Sequence, residues 1–299
     1  MARFSAIAVS SLFIFLVLTA TLSAQKGPRI AFALDSGIWV SDLQGASPRK
    51  IADGMDPSIS PSGEKVAFTF PGKGSQRFIA VADISAGTKT LFKKVPSDNS
   101  FGPVWSQDGS LILFKIFLKN VWRFGLINAD GTGFRFLDNS GKSDLWSPCW
   151  ANDGQSIFCQ DLNTIYRVNL EGKVLSKWDI TKIIPNASMS SGSQMSVSGD
   201  GRRLLIEADM GEDIEIKDWE GPPPAIWLLN LQTGAASRLT PTKMLASSPC
   251  WLNNNEILFD APSATGKTSS IYRTSVNALK PIVVIKNGQN PSVSGELSH

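Results

Sequence analysis

The side chains best suited to chemistry are concentrated in one acidic stretch, residues 207–224. It holds seven carboxylates and one basic residue, Lys217, and it ends in three consecutive prolines. Clustered carboxylates suit hard cations such as Ca²⁺, but their spacing here does not follow that of an EF-hand loop. Such a stretch is also typical of a loop that contacts a protein partner, and the alternative is a solvated insertion with no binding role. The residues predicted to contact a partner are Asp209, Glu212, Asp213, Asp218, Trp219 and Glu220.

Histidine chemistry is not expected from this composition. The one histidine is His299, the last residue of the sequence, and a frayed terminus does not hold an imidazole against a nucleophile or a metal ion. A Ser-His-Asp triad and histidine-ligated metal sites are therefore not predicted. Catalysis by paired carboxylates, as in glycosidases, is compatible with the sequence. We expect a protein that is not an enzyme, and the alternative is a carbohydrate-binding or carboxylate-dependent, polysaccharide-active propeller.

The segment from Ala261 to Thr268 approaches the pattern of a phosphate-binding loop. It reads Ala, four residues and then Gly-Lys-Thr, so it lacks the first glycine of that pattern. A phosphate-binding loop also needs a following helix whose amide groups point at the phosphates, whereas Ser270 to Arg273 has the pattern of a strand. We expect a connection between strands here, and the sequence predicts neither a cofactor nor a bound metal.

One short pattern recurs along the chain and indicates an all-β repeat. The residue two positions after a proline is apolar or aromatic, and turn-forming residues come next. A glycine lies six positions after the same proline. Apolar residues follow the glycine, so each copy predicts a β-hairpin. In the fifth copy Asn255 takes the glycine position, where we expect it in the left-handed conformation that asparagine tolerates. The copies begin at Pro57, Pro103, Pro148, Met195, Pro249 and Pro291.

The spacing of these copies predicts a propeller. They recur every 42 to 54 residues, near the length of a propeller repeat, and two weaker strands follow each hairpin to complete a four-stranded blade. The last copy supplies an innermost strand, and Arg29 to Leu34 supplies a second strand that lacks one. We therefore predict a six-bladed β-propeller closed by N- and C-terminal strands in one blade. Trp105, Trp150 and Trp251 recur at one repeat position, either packed in the innermost strands or lining the channel.

The unit Pro-x-aromatic-Ser-x-Asp-Gly, followed by an apolar strand, resembles the repeat of TolB-like β-propellers. The resemblance covers residues 27–299 and concerns the propeller portion only, because we expect no counterpart of the α/β domain that precedes the propeller in TolB proteins. The same type of repeat occurs in the propellers of prolyl-oligopeptidase-like peptidases, whose hydrolase domain is also not expected. The resemblance implies a periplasmic scaffold that binds other proteins, and it implies no site residues because the motif is structural.

The first 24 residues have the layout of a secretory signal peptide. Arg3 precedes an apolar stretch from Ala6 to Leu22, and Ala24 is a small residue at which cleavage is expected. The alternative is an uncleaved membrane anchor. We expect residues 25–299 to form a single domain that is periplasmic or secreted, and that meets a membrane only through an envelope partner or an uncleaved N-terminus. The formal charge of +3 is too small to predict a nucleic-acid partner, and we expect a monomer.

The three cysteines are too few for a disulfide framework. Cys149 and Cys159 flank the hairpin of the third copy symmetrically about Gly154. Two arrangements follow from this: buried free thiols, or a disulfide between cysteines that face each other across the strand pair. Cys250 belongs to another blade, and we expect it to be free.

The connections on the two faces of the predicted propeller differ in length. Connections after the first and third strands of each blade are short and uniform, whereas several of those after the second and fourth strands are long and irregular, including residues 207–224. We call the face that carries the second set the long-loop face. Because binding often resides in variable loops on a rigid scaffold, we expect a protein or peptide to bind at this face or at the channel that opens there.

Overall fold

The computed structural model describes residues 27–137, 144–209, 223–263 and 268–295. In these ranges the chain forms six four-stranded antiparallel sheets. The innermost strand of each sheet contacts the innermost strands of its two neighbours, so the sheets form a closed ring. The predicted six-bladed β-propeller is confirmed.

The strands follow the repeat along the chain. The first three are Arg29–Leu34 (β1), Gly37–Asp42 (β2) and Arg49–Asp53 (β3). Blade 1 is formed by Met55–Ile59 (β4), Lys65–Pro71 (β5), Arg77–Asp83 (β6) and Lys89–Leu91 (β7). Blade 2 is formed by Ser100–Trp105 (β8), Leu111–Leu118 (β9), Val121–Asn128 (β10) and Arg135–Phe136 (β11). Blade 3 is formed by Trp146–Trp150 (β12), Ser156–Gln160 (β13), Thr164–Asn169 (β14) and Val174–Asp179 (β15).

The short helix Ile180–Ile183 (α1) follows blade 3, and the side chain of Asp179 caps it by accepting a hydrogen bond from the amide of Thr181. Blade 4 is formed by Met195–Val197 (β16), Arg203–Asp209 (β17), Pro224–Asn230 (β18) and Ala236–Arg238 (β19). Blade 5 is formed by Ser247–Asn253 (β20), Glu256–Pro262 (β21), Ser269–Ser275 (β22) and Ala278–Ile285 (β23). Blade 6 is formed by Gln289–Val293 (β24) with β1, β2 and β3.

The two ends of the described chain close the ring. β24 pairs antiparallel with β1, and Val293 lies opposite Ile30. The hydroxyl of Ser294 accepts a hydrogen bond from the amide of Arg29 at 2.8 Å. The predicted closure by N- and C-terminal strands in one blade is confirmed. Of the residues that the structure describes, none belongs to a helix long and apolar enough to cross a membrane, and the predicted signal peptide lies outside them.

The core consists of apolar layers between neighbouring blades. Adjacent residues on a strand point to opposite faces of the sheet, so Phe68 packs toward blade 6 while Ala67 packs toward blade 2. Because every blade is covered on both faces in this way, its second strand is an almost continuous apolar run. A polar side chain in such a strand therefore stands out, and these polar side chains border the site described below.

The repeated tryptophans join neighbouring blades. Each lies at or near the end of an innermost strand, is nearly fully buried, and donates its indole N–H to a backbone carbonyl of the preceding blade. The hydrogen bonds run from Trp105 to Ser58 at 2.9 Å, from Trp150 to Val104 at 3.2 Å and from Trp251 to Ser196 at 3.0 Å. The tryptophans thus pack in the innermost strands, and they also line the cavity at one end of the channel, so both predicted arrangements hold. In addition, they form a directional bond between blades.

The hairpin turns match the prediction in four copies and differ in the fifth. The predicted glycines adopt left-handed φ values in those four copies, from 63° at Gly154 to 70° at Gly109. The prediction for Asn255 is wrong, because this residue is not among those with positive φ. Its amide instead donates to the side chain of Asn253 at 2.8 Å. That local hydrogen bond stabilises a turn of another type, which needs no left-handed residue.

The three cysteines are free thiols. Cys149 lies opposite Phe158 rather than Cys159, because the hairpin is centred between Asp153 and Gly154 and not on Gly154, so that Trp150 pairs with Ile157. A slip of one residue turns a side chain to the other face of its sheet. Cys149 accordingly packs between blades 3 and 4, whereas Cys159 packs between blades 2 and 3. Of the two predicted arrangements, the structure has the buried free thiols.

Candidate functional site

The innermost strands share a strained backbone position directly before the proline of the repeat. In five blades this residue has a left-handed φ between 52° and 62°, and the register with the second strand shifts there. In blade 4, where Met195 replaces the proline, the pairing runs without a shift. Left-handed residues other than glycine are uncommon, and they cluster at functional sites. We call the five the bulge residues: Asp56, Gly102, Ser147, Ser248 and Asn290.

The bulge residues surround one end of the central channel. A cavity of about 360 Å³ opens there, at the start of the innermost strands and therefore on the long-loop face. We call this cavity the channel mouth. The loop from Ser191 to Ser193 borders it, and every blade contributes to its lining. Its lining includes Asp56, Phe101, Lys115, Ser147, Gln194 and Asn290.

The other end of the channel is built from the repeated turns. It also holds a cavity of about 360 Å³, which is lined by turn residues such as Ser106 and Asn152. The carboxylates of this end serve their own turns. Asp108 accepts a hydrogen bond from the Ser106 hydroxyl at 2.6 Å, and this bond is the main reason why the pKa of Asp108 is lowered. The repeated aspartate is therefore a structural part of the hairpin turn.

A second set of polar residues lies just behind the channel mouth. Five blades bury a polar side chain at the same position of the second strand, directly after three apolar residues. The sequence carries this signal as a polar residue in an otherwise apolar strand, but the repeat motif alone does not reveal it. We call these five the ring residues: Thr69, Lys115, Gln160, Glu207 and Asp260.

Three ring residues stabilise the strained backbone of the next blade. Each accepts a hydrogen bond from the amide of a bulge residue, so the left-handed segment has a partner for its N–H group. Because donor and acceptor belong to neighbouring blades, these bonds also hold the blades in register around the mouth. They run from Gly102 to Thr69 at 3.0 Å, from Ser248 to Glu207 at 2.9 Å and from Asn290 to Asp260 at 3.1 Å.

Lys115 departs from this arrangement because an ammonium group only donates hydrogen bonds. Its Nζ atom lies 3.4 Å from the carbonyl oxygen of Ser191. The same atom lies 3.9 Å from the ring centroid of Trp146 and 4.6 Å from that of Phe101. The guanidinium of Arg77 lies 3.9 Å from the Phe101 ring centroid. We call this group the cationic corner, and it consists of Arg77, Phe101, Lys115, Trp122 and Trp146.

Among the ring residues, the basic Lys115 lies on one side of the channel, and the acidic Glu207 and Asp260 lie in other blades. Burial and, to a smaller extent, the neighbouring Arg77 lower the pKa of Lys115 to about 8, while the charge of Asp56 opposes this shift. In blades 4 and 5, burial raises the pKa of Glu207 to about 7, with a contribution from the charge of Asp260. Burial likewise raises the pKa of Asp260 to about 6. In the part of the chain that the structure describes, no three acidic, cysteine or histidine side chains come together to hold a metal ion.

The structure describes one of the six residues predicted to contact a partner. Asp209 ends β17, and its carboxylate accepts hydrogen bonds from the amide of Ser188 at 3.1 Å and from the Ser188 hydroxyl. It therefore anchors the loop that leads to the channel mouth. The other five lie outside the described residues: Glu212, Asp213, Asp218, Trp219 and Glu220.

Solved structures share this fold, although no protein-family model matches the sequence. TolB from Acinetobacter baumannii matches with a TM-score of 0.67 and 17% identity, over 89% of this chain and 66% of that protein. A structure described as TolB from Agrobacterium tumefaciens matches with a TM-score of 0.62 and 12% identity, over 88% of this chain and 91% of that one. A chain of a nidogen/laminin complex matches with a TM-score of 0.66 and 12% identity, over 91% of this chain and 100% of that one.

These likenesses concern the fold, since the identities are low. The chain spans 66% of the length of the Acinetobacter baumannii protein, so the activities of that whole protein do not pass to it. The shared part is the ring of blades, in which the repeat motif forms the innermost hairpins. The resemblance to TolB-like repeats is confirmed at this level: the chain is a six-bladed β-propeller with the fold of TolB propellers.

Proposed function

We propose that this chain is an exported, non-enzymatic propeller of the cell envelope that binds a protein or peptide at its channel mouth. The observation that carries the proposal is the ring of five left-handed bulge residues around an open cavity. Strained backbone persists only where its surroundings stabilise it, and here buried ring residues do so in several blades. A rigid rim of polar, mostly half-buried residues around an open cavity suits the recognition of an extended polypeptide.

The likeness to other propellers also supports a protein-binding function. TolB propellers share the fold, and a chain of the same fold takes part in a complex between nidogen and laminin. The family resemblance supports a periplasmic location, reached through cleavage after Ala24. N-terminal sequencing of the mature protein tests this step, and a retained Met1 would contradict it.

Obstructing the channel mouth with a large side chain tests whether peptides bind there. A library of random octapeptides, attached through their amino termini, would be selected on the purified protein, and binding would be measured by calorimetry. Because Ser191 is exposed and borders the mouth, Ser191→Trp should obstruct entry. We expect the selected peptides to bind this variant at least about tenfold more weakly, as expected for loss of a central contact.

The matched control places the same side chain at the opposite end of the channel. Gln155 is an exposed turn residue there, and Gln155→Trp should leave peptide affinity unchanged within about twofold. Equal binding by wild type and Ser191→Trp, or a loss confined to Gln155→Trp, would contradict a site at the channel mouth.

We further propose that the acidic segment, residues 207–224, assists partner capture. Its described end, Asp209, is held against the loop that borders the mouth, which places that end on the same face. Changing Glu212, Asp213, Asp218 and Glu220 to their amides should slow association with basic peptides about threefold to tenfold at low salt, because rim charges act mainly on the association rate. The difference should vanish at high salt.

The control for this prediction neutralises acids elsewhere. Asp130 and Glu171 are exposed turn residues away from the long-loop face, and their amide variants should leave the association rate unchanged. An unchanged rate in the four-residue variant would reduce the acidic segment to a solvated insertion.

A further inference from the structure

Lys115 is a buried cation in the cationic corner of the channel mouth, and no described residue forms an ion pair with it. Only 6% of its surface is exposed, and the ion pairs formed among the described residues include neither Lys115 nor Arg77. A buried charge is unfavourable unless it is paired. We propose that the cationic corner binds a carboxylate of the partner polypeptide, an inference that rests on the proposed function.

The surroundings of the ammonium group leave room for an anion on the side of the cavity. Three N–H donors are present on a lysine, and the described contacts provide one acceptor, the carbonyl of Ser191 at 3.4 Å. The rings of Trp146 and Phe101 flank the group through their faces, where they stabilise the charge without accepting a conventional hydrogen bond. Because Lys115 itself lines the channel mouth, an entering anion can reach the remaining donors.

The local charge balance also favours an anion. Arg77 places a second cation on the other side of the Phe101 ring. The acid nearest to these two is Asp56, whose carboxylate already accepts a hydrogen bond from the Thr69 hydroxyl at 2.8 Å. Burial raises the pKa of Asp56 whereas Arg77 and Lys115 lower it, and even an ionised Asp56 balances only one of the two cations. The corner therefore has a net positive charge in a region of low dielectric, where attraction to an anion is strong.

The fold does not require a lysine at this position. The corresponding residues in other blades are Thr69, Gln160, Glu207 and Asp260, and in blade 6 the position is Ala33. Three of these accept a hydrogen bond from the next blade, a role that lysine cannot fill. Lys115 thus replaces a stabilising acceptor with a donor for which the described contacts provide one acceptor, the carbonyl of Ser191, and a ligand contact accounts for this exchange.

The anionic group of a polypeptide is a carboxylate, carried by its C-terminus or by an acidic side chain. Half-buried aromatic rings beside the cations, Phe101, Trp122 and Trp146, provide apolar contact for the atoms that bear it. Both sources present the same chemistry to Lys115 and Arg77, and synthetic peptides distinguish them.

The test uses the octapeptides selected on the wild-type protein. Lys115→Met keeps the length and volume of the side chain but removes its charge, and peptide affinity should fall about tenfold, as expected for a desolvated ion pair. Peptides with an amidated C-terminus, or with Gln and Asn in place of Glu and Asp, identify the carboxylate. One of these neutralised peptides should bind the wild-type protein more weakly than its acidic parent does. That neutralised peptide and its parent should bind Lys115→Met with equal affinity.

Two controls separate a binding role from a structural one. Lys119→Met removes the charge of an exposed lysine in the β9–β10 turn on the same face, and affinity should stay within about twofold. The thermal midpoint of Lys115→Met should match or exceed that of wild type, because an unpaired buried charge is removed. Equal peptide binding by wild type and Lys115→Met, while Ser191→Trp still blocks binding, would overturn this inference alone. Failure of Ser191→Trp to block binding would overturn the proposed function as well.

Discussion

Replacing Trp251 with alanine is expected to lower the free energy of unfolding by about 3–5 kcal/mol, the usual effect of removing a large buried aromatic side chain. Trp251 is 2% exposed and lies in the layer between blades 4 and 5. Its indole N–H donates to the carbonyl of Ser196 in the preceding blade, so the variant also leaves a buried acceptor without its donor. Urea denaturation followed by circular dichroism measures the change.

Two further variants separate packing from hydrogen bonding. Trp251→Phe retains most of the apolar contact and loses the N–H group, so a smaller loss of about 1–3 kcal/mol is expected. Leu175→Ala removes an apolar side chain that is 48% exposed and should change stability by less than about 0.5 kcal/mol. A Trp251→Ala protein as stable as Leu175→Ala would mean that the tryptophans do not join the blades.

The stability of the protein is expected to fall as pH rises from about 4.5 to 7, because of Glu207. The pKa of its carboxyl group is 4.5 when unperturbed and about 7 in the folded protein. Between these values the folded state binds more protons than the unfolded state, so the stability contributed by the neutral carboxyl is present below pH 4.5 and is lost as pH rises through 7. The full loss amounts to about 3 kcal/mol.

Glu207→Gln tests the assignment, because its amide oxygen can accept the same hydrogen bonds from the amides of Ser248 and Gln194. The variant should be more stable than wild type by about 3 kcal/mol at pH 8 and equally stable at pH 4. Because the raised pKa of Asp260 adds a similar pH dependence, the stability of the variant should still fall with pH, but less steeply than that of wild type. Glu171→Gln, at an exposed turn, serves as control and should reproduce the wild-type curve. A wild-type stability that rises over this range would contradict the buried, neutral state of Glu207.

The fold could be predicted from the sequence because its signals are local and repeated. The turn glycines, the apolar triplets and the tryptophans lie within each copy, and Arg29 to Leu34 matches the missing strand of the last copy. The prediction for the turn at Asn255 is wrong, because asparagine side chains also stabilise turns of other types. Which of several turn types a polar segment adopts depends on hydrogen bonds that the residue types alone do not specify.

The candidate site could not be predicted because it arises between blades. The bulge residues are Asp, Gly, Ser, Ser and Asn, so no single residue type marks the position. Their partners are ring residues of the preceding blade, about 30 to 40 residues away along the chain. The offset of one residue between Cys149 and Cys159 is set by the centre of their hairpin turn, which the residue types alone do not specify. The acidic segment, residues 207–224, is by contrast visible in the sequence, although its role depends on the partner that contacts it.

Site-specific photo-cross-linking tests the central claim most directly, because it reports contact with the channel mouth whatever the identity of the partner. A benzoylphenylalanine would be placed at Ser191, beside the mouth, and separately at Gln155, at the opposite end of the channel. After irradiation in the cells that produce the protein, adducts would be identified by mass spectrometry. We predict a discrete polypeptide adduct from Ser191, competed by the selected octapeptides, and none from Gln155. Adducts from Gln155 alone, or a Ser191 adduct that the octapeptides do not displace, would contradict binding at the channel mouth.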